Sequence, residues 1–521
     1  MRNRLAALLL ALIVSLFLSQ WLLPQDVHPT RGQPQGGDRR GSYYGADKEG
    51  DEEYEKTNGS ITRLYQDPKV YLHNMTLLAH VSPANRGFGE GGMMTVGGNR
   101  YLFSGGVAVD VTDPKHPIVV NDKAPGGELA YNKSLQKWIL MRADSCCNGS
   151  PAVLEGKKPH PQLNPPKGRT YGATFFDVTD PRNIVELSKW QTPPGMVGTH
   201  GDGNFYDGGR YAYLSASLPG LRGQPPFQEF GRILQILDLS DIKNPKEVST
   251  WWVPGQKKTE ETEFLKWPEA PGMMATAGKP WTPDMRYYFA NFHGPCMAPK
   301  RVEDGGNRAY CAYSAFGLRI LDLTDIRQPK EVSSLDPSPP FEMGIPVHSV
   351  YPMLDRKLVF MNGETIKWDC NEGVNPPFVV DIRAEKYPMV IATFPIPKPP
   401  KEAPYNDFCF RGGRFGIHGP QEFKAPGEAR LDLMGYAWFQ GGFWLYDVSN
   451  PFRPEEVAWI VPAQGNRRGT EGSFIEWDRK IIYVFSDTGL YILSSPALGE
   501  PVLAALPPER WNPPGLNAGA P

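Results

Sequence analysis

Histidine is scarce in this chain, with nine in 521 residues. Cysteine is scarcer still at six, and its spacings fit no zinc motif. Net charge is almost absent, since 55 Lys and Arg against 57 Asp and Glu leave −2 at neutral pH. That balance excludes the basic surface a nucleic-acid partner would need. What abounds is the turn former: 55 Gly and 53 Pro, without a collagen period. Such a composition indicates many turns between short strands. The length exceeds one ordinary compact core unless the fold is a repeat or a large barrel.

Arg2 and Arg4 precede an apolar run from Leu5 to Leu23. The run is long for a secretory signal and just long enough to span a bilayer. No A-x-A cleavage site follows it, so a cleaved signal and an uncleaved anchor through residues 5–23 both fit. Either one exports the remainder, to a periplasmic or other extracytoplasmic location. Residues 24–58 are polar and glycine-rich, the composition of a disordered linker. Residues 59–521 are left for one folded domain.

Disulfides are permitted in an exported chain. Cys296 and Cys311 fall on neighbouring expected strands, and Cys370 and Cys409 flank one repeat. Cys146 and Cys147 are adjacent, with a bridge and a redox role as alternatives. Asn58, Asn74, Asn132 and Asn148 stand in N-x-S/T sequons.

One pattern recurs: alternating apolar residues, Asp, a short polar turn, then another short strand. It appears as "VAVDVTDPKHPIVV" (Asp110), "TFFDVTDPRNIVEL" (Asp177), "LQILDLSDIKNPKEVSTW" (Asp238) and "LRILDLTDIRQPKEVSSL" (Asp322). Three more follow: "FVVDIRAEKYPMVIATF" (Asp381), "FWLYDVSNPFRPEEVAWI" (Asp447) and a degenerate "LYILSSPALGEPVLAAL" near Ser494. Strand periodicity repeated at such intervals is the mark of a propeller. The unit resembles the LVIVD repeat of exported bacterial β-propellers, over about Ala79 to Leu506. The resemblance implies an all-β, seven-bladed β-propeller and names no activity. Either Leu77–Ser82 or Val502–Leu506 is expected to supply the last outer strand.

The residue opening each innermost strand is the informative one. In order these are Glu90, Glu128, His200, His293, His348, His418 and Glu471. Five of the seven are followed directly by Gly. Four of the nine histidines thus fall in seven equivalent slots, where random placement predicts roughly 0.1. A channel lined with polar residues does not account for that excess. Seven such positions form a ring on the propeller axis, and neutral imidazoles there suit iron, copper, zinc or nickel. His200, His293, His348 and His418 are therefore the expected metal ligands. Glu90, Glu128 and Glu471 are expected to orient them by accepting their second ring N–H. The tally of four His and three Glu is similar to the iron site of carotenoid cleavage oxygenases, and similar in that respect only.

Long loops are expected on one face of the propeller: 143–170, 217–231, 254–291, 364–376 and 396–417. Residues 259–267 ("TEETEFLKW") within them have the look of a short helix. The loops carry Phe227, Phe230, Phe264, Trp267, Trp281, Trp368, Phe408 and Phe410, and short turns occupy the other face. This suggests an apolar or aromatic small molecule reaching the metal through a roofed pocket. The expectation is an exported mononuclear Fe(II) oxygenase using O2. The alternatives are a copper oxidase resembling the selenium-binding, methanethiol-oxidising propellers, and a non-catalytic binding or scaffold propeller.

Overall fold

The computed structural model describes residues 67–82, 89–144, 170–222, 231–267, 292–337, 345–365, 370, 373–465 and 468–500. All of them belong to one compact unit, 41–521. The expected leader, the linker, Cys146, Cys147 and much of the long loops lie outside the described residues. Among those described, no helix is long and apolar enough to cross a membrane.

Short apolar runs bounded by turns become strands buried on both faces. Arg232–Asp238 has five consecutive buried residues between two half-buried ends, whereas Lys246–Trp251, one strand further out, begins exposed. The fold is an all-β propeller. Five four-stranded antiparallel sheets cover 91–121, 128–191, 205–251, 296–335 and 345–393. The expected helix is present as one turn, Glu261–Phe264.

Where the repeat count gives seven blades, the structure has five small ones and one nine-stranded sheet. That sheet joins the last two repeats. Leu433–Phe439 ends with Phe439 at φ 42°, where its main chain meets Thr470 and forms a single pair with the following strand. The N-terminal segment closes the ring. Thr76–Val81 pairs antiparallel with Gly489–Ser494, from Thr76 opposite Ser494 to Val81 opposite Leu490. This settles the outer strand in favour of the segment near Leu77–Ser82. Tyr71–His73 adds a further strand on Glu455–Val461.

The repeated aspartate has a mechanical role. Asp110, Asp177, Asp238, Asp322, Asp381 and Asp447 each accept a hydrogen bond from the main-chain N–H two residues on. The carboxylate thus satisfies the amide that turns the chain from the third strand to the fourth. Ser495 performs the same task in the degenerate copy, accepting from the Ala497 N–H. Cys296 is bonded to Cys311 and Cys370 to Cys409, the pairings suggested by their positions.

Asp322 accepts from both the hydroxyl and the amide of Thr324, which hold its carboxyl below the ordinary aspartate value. Asp322→Ala should lower unfolding free energy by about 1 kcal/mol near neutral pH. Because the folded value is depressed, this stabilisation is complete above the unfolded value of about 3.9 and vanishes as pH falls through the lower folded one. Denaturant melts of both proteins should therefore differ at pH 7 and converge in acid.

Candidate metal centre

The innermost strands lose regular pairing where the slot residues stand. Register shifts occur between Ile345 and Ser349 around His348, and between Phe415 and Gly419 around His418. A third lies between Thr470 and Gly472, at Glu471. A bulge of this kind re-aims a side chain. His200 and His293 sit just before Phe205–Tyr206 and Cys296–Met297, His200 directly after an isolated bridge between Thr199 and Ala216. Two of the glycines after the slots, Gly91 and Gly294, reflect crowding, whereas Gly201 faces open space. A Cβ on Gly294 would collide with the main-chain oxygen of His348, and one on Gly91 with that of Phe103.

All four histidines come together. The His200 and His293 Nε2 atoms are 3.1 Å apart. Ring centroids are 5.1 Å apart for His293 and His348, and 4.9 Å for His348 and His418. For metal–nitrogen bonds of about 2.0–2.1 Å, adjacent ligand nitrogens stand about 2.9 Å apart in an octahedral site and about 3.4 Å apart in a tetrahedral one. The observed 3.1 Å lies between these values. His348 Nε2 is buried without a hydrogen-bond partner. An orphaned imidazole nitrogen between two other imidazoles is what a ligand position looks like.

Two carboxylates that the sequence reading passed over face the same point. Asp202 Oδ2 lies 3.6 Å from His348 Nε2 and 3.8 Å from His200 Nε2. Glu364 Oε2 lies 3.6 Å from both His293 Nε2 and His348 Nε2. Three overlapping sets have ligand atoms within 4.8 Å of one another: His200, Asp202 and His293; Asp202, His348 and His418; His293, His348 and Glu364. Asp202 stands two residues after His200 in "GTHGDGNF", a His-x-Asp spacing that could have been noticed. Glu364 carries no local signal; it ends the strand beside that of His348.

Burial holds His200, His293 and His418 below the ordinary histidine pKa, with neighbouring imidazoles adding to the effect at His200 and His418. They are neutral and able to donate a lone pair. Burial alone would lower His348 as well, but Asp202 and Glu364 outweigh it and hold that ring above its ordinary value. Glu364 is buried yet held well below the usual glutamate range by His293, His348 and Arg414. Arg414 Nη1 donates to Glu364 Oε1 at 2.8 Å.

Of the three slot glutamates, Glu128 and Glu471 each pair with a cation. Glu128 Oε2 is paired with Lys424 Nζ at 2.5 Å, and Glu471 Oε1 with Arg468 Nη1 at 3.0 Å. His418 Nδ1 bonds the main-chain oxygen of Glu471, so its orientation comes from the backbone. His348 Nδ1 bonds Ser349 Oγ at 2.7 Å. Glu90 lines the cavity that continues below the ring.

Four of the eight loop aromatics lie among the described residues, and each packs against the blades. Trp267 meets Phe316 edge-on with centroids 4.6 Å apart, and Phe408 lies 4.9 Å from Phe415. Phe264 is buried with Trp267, and Phe410 packs beside Phe408. Phe227, Phe230, Trp281 and Trp368 lie outside the described residues. Among the described residues the ring of Phe439 lies 4.9 Å from that of His418. No protein-family model matches the chain, and no curated protein matches it significantly.

Asp202 and Glu364 face the imidazole nitrogens, whereas Glu128 faces a lysine. Glu364→Gln should weaken Zn(II) binding by about 10–100-fold, and Asp202→Asn should do the same. Glu128→Gln should leave the affinity within a few-fold of wild type. Competition titration with a chromophoric chelator measures all three.

Proposed function

We propose that the chain binds one transition-metal ion through His200, His293, His348 and His418 and works as an exported metal-dependent oxidoreductase. The observation that carries this reading is a row of four neighbouring imidazoles shared among three overlapping sets, each of two histidines and one carboxylate, with His348 Nε2 buried and without a hydrogen-bond partner. Fe(II) is the favoured ion. Imidazole suits several metals, but the flanking Asp202 and Glu364 add the oxygen donors that soft copper sites lack. When bound, such an ion supplies the one-electron chemistry that lets an enzyme use O2.

The chain's own contributions follow from the geometry. Four ligands arrive from four successive repeats, so the rigid ring sets their spacing. Arg414 fixes the Glu364 carboxylate against the imidazoles, and Asp202 holds charge opposite His348. Phe439 excludes water on one side of His418. The substrate class proposed is an apolar or aromatic small molecule, approaching from the face of the long loops. The two disulfides fit an oxidising, extracytoplasmic compartment. The resemblance to LVIVD propellers and a ring of seven also belong to this proposal, with the nine-stranded sheet counted as two blades joined at Phe439 and Thr470.

Protein prepared anaerobically with Fe(II) should bind about one ion per chain. His293→Ala or His348→Ala should reduce occupancy at least tenfold while the far-ultraviolet circular dichroism stays that of a β-protein. O2 consumption with a panel of aromatic and apolar compounds should require the ion. Wild-type binding no better than that of His293→Ala or His348→Ala would end the metal reading. A bound ion that raises the melting temperature without any O2 uptake would leave it as a staple between blades.

A further inference from the structure

Below the histidine ring the axis continues into a cavity of about 70 Å³. It runs in the direction of the innermost strands, from His348 to Tyr351 and past His418 to Phe423. Its walls carry Glu90, Glu128, Asp202 and Glu422. A polar cavity needs roughly 10–15 Å³ per water, so this one holds several. Two buried polar groups on its wall lack partners, Ser473 Oγ and Asn204 Nδ2. Such groups are normally satisfied by ordered water. Glu90 is solvent-exposed although it stands on the axis, so water reaches it. Glu90, Glu128 and Glu422 enter no set of three ligand atoms within 4.8 Å of one another among the described residues. The cavity is therefore lined by three carboxylates that form no such set among the described residues.

We infer that this axial cavity is a proton passage between the metal ring and the face of the short turns, with Glu422 as the group that takes up and releases the proton. The inference rests on the oxidoreductase reading, because reduction of O2 consumes protons that a roofed site must import. No electrons move in the passage. A proton leaves the Glu422 carboxyl for a channel water on the ring side, and the carboxylate is refilled from water on the other.

The surroundings of Glu422 suit that duty. Burial raises its carboxyl to about 7, against the pull of Lys424, with Glu128 raising it further. Lys424 Nζ lies 4.0 Å from Glu422 Oε1, and bonds Glu128 Oε2 at 2.5 Å and the Tyr206 carbonyl at 2.9 Å. The charged groups around the chamber are thus Glu90, Glu128, Asp202 and Lys424, with His348 at its upper end.

The test is infrared titration of the full-length, metal-free protein, which needs no substrate. Wild type should show a carboxylic-acid band at pH 6 that disappears with a midpoint near neutrality and shifts within seconds of transfer to D2O. The isosteric Glu422→Gln should remove the component with that neutral midpoint, while Glu90, whose carboxyl is held well above the ordinary glutamate value by desolvation and the neighbouring carboxylates, should keep its own acid signal. Loading Zn(II) on the ring should move the midpoint down, since a cation favours the carboxylate. No acid band sensitive to Glu422→Gln, an acid that resists exchange, or a midpoint indifferent to bound Zn(II) would each overturn the passage. Should Zn(II) fail to bind at all, the metal reading falls, and the band and its exchange still decide whether Glu422 is a proton carrier in a wet channel.

Discussion

The innermost strands of this protein meet on an axis too narrow for their side chains to turn away from one another. That constraint sets both the sequence and the chemistry. A Cβ on Gly294 would strike the backbone carrying His348, so glycine follows His293. The strands break register at His348 and His418, which sends the imidazoles inward. Once there, four rings and two carboxylates share one small volume, in which His293, His348 and His418 are buried while Asp202 keeps contact with solvent. Three of the histidines are held neutral by burial, and Asp202 and Glu364 hold the fourth above its ordinary value against that burial. Concentrating this many donors at one point is costly unless a cation joins them.

The blade architecture was legible because its devices are local. The aspartate that caps each third-to-fourth strand corner bonds the amide two residues away, so it recurs at a fixed place in every copy. The strand alternation is equally local. The slot on the axis was also readable, since equivalent residues of a rotational repeat must lie on one ring. The fusion of the last two repeats was not readable. It depends on one contact, Phe439 with Thr470, between segments that no repeat pattern relates.

The orienting groups illustrate the same boundary. Three glutamates share the histidines' slot, yet Glu128 is drawn to Lys424 and Glu471 to Arg468. Glu364 reaches the ring from the neighbouring strand, where only the three-dimensional register brings it close. Position in a repeat predicts where a side chain begins; the partner it finds depends on the charges of adjacent blades. Phe264, Trp267 and Phe408 make a similar point, because aromatic residues in long loops served to fasten those loops to the propeller.

The central claim is that the four imidazoles bind one metal ion on the axis. X-ray absorption at the iron edge of the Fe(II)-loaded protein tests it most directly. The account predicts three or four imidazole nitrogens at about 2.0–2.2 Å, with the multiple-scattering signature of the rings, and one fewer ring in His348→Ala. A spectrum dominated by sulfur or by oxygen alone, or one unchanged by His348→Ala, would contradict it.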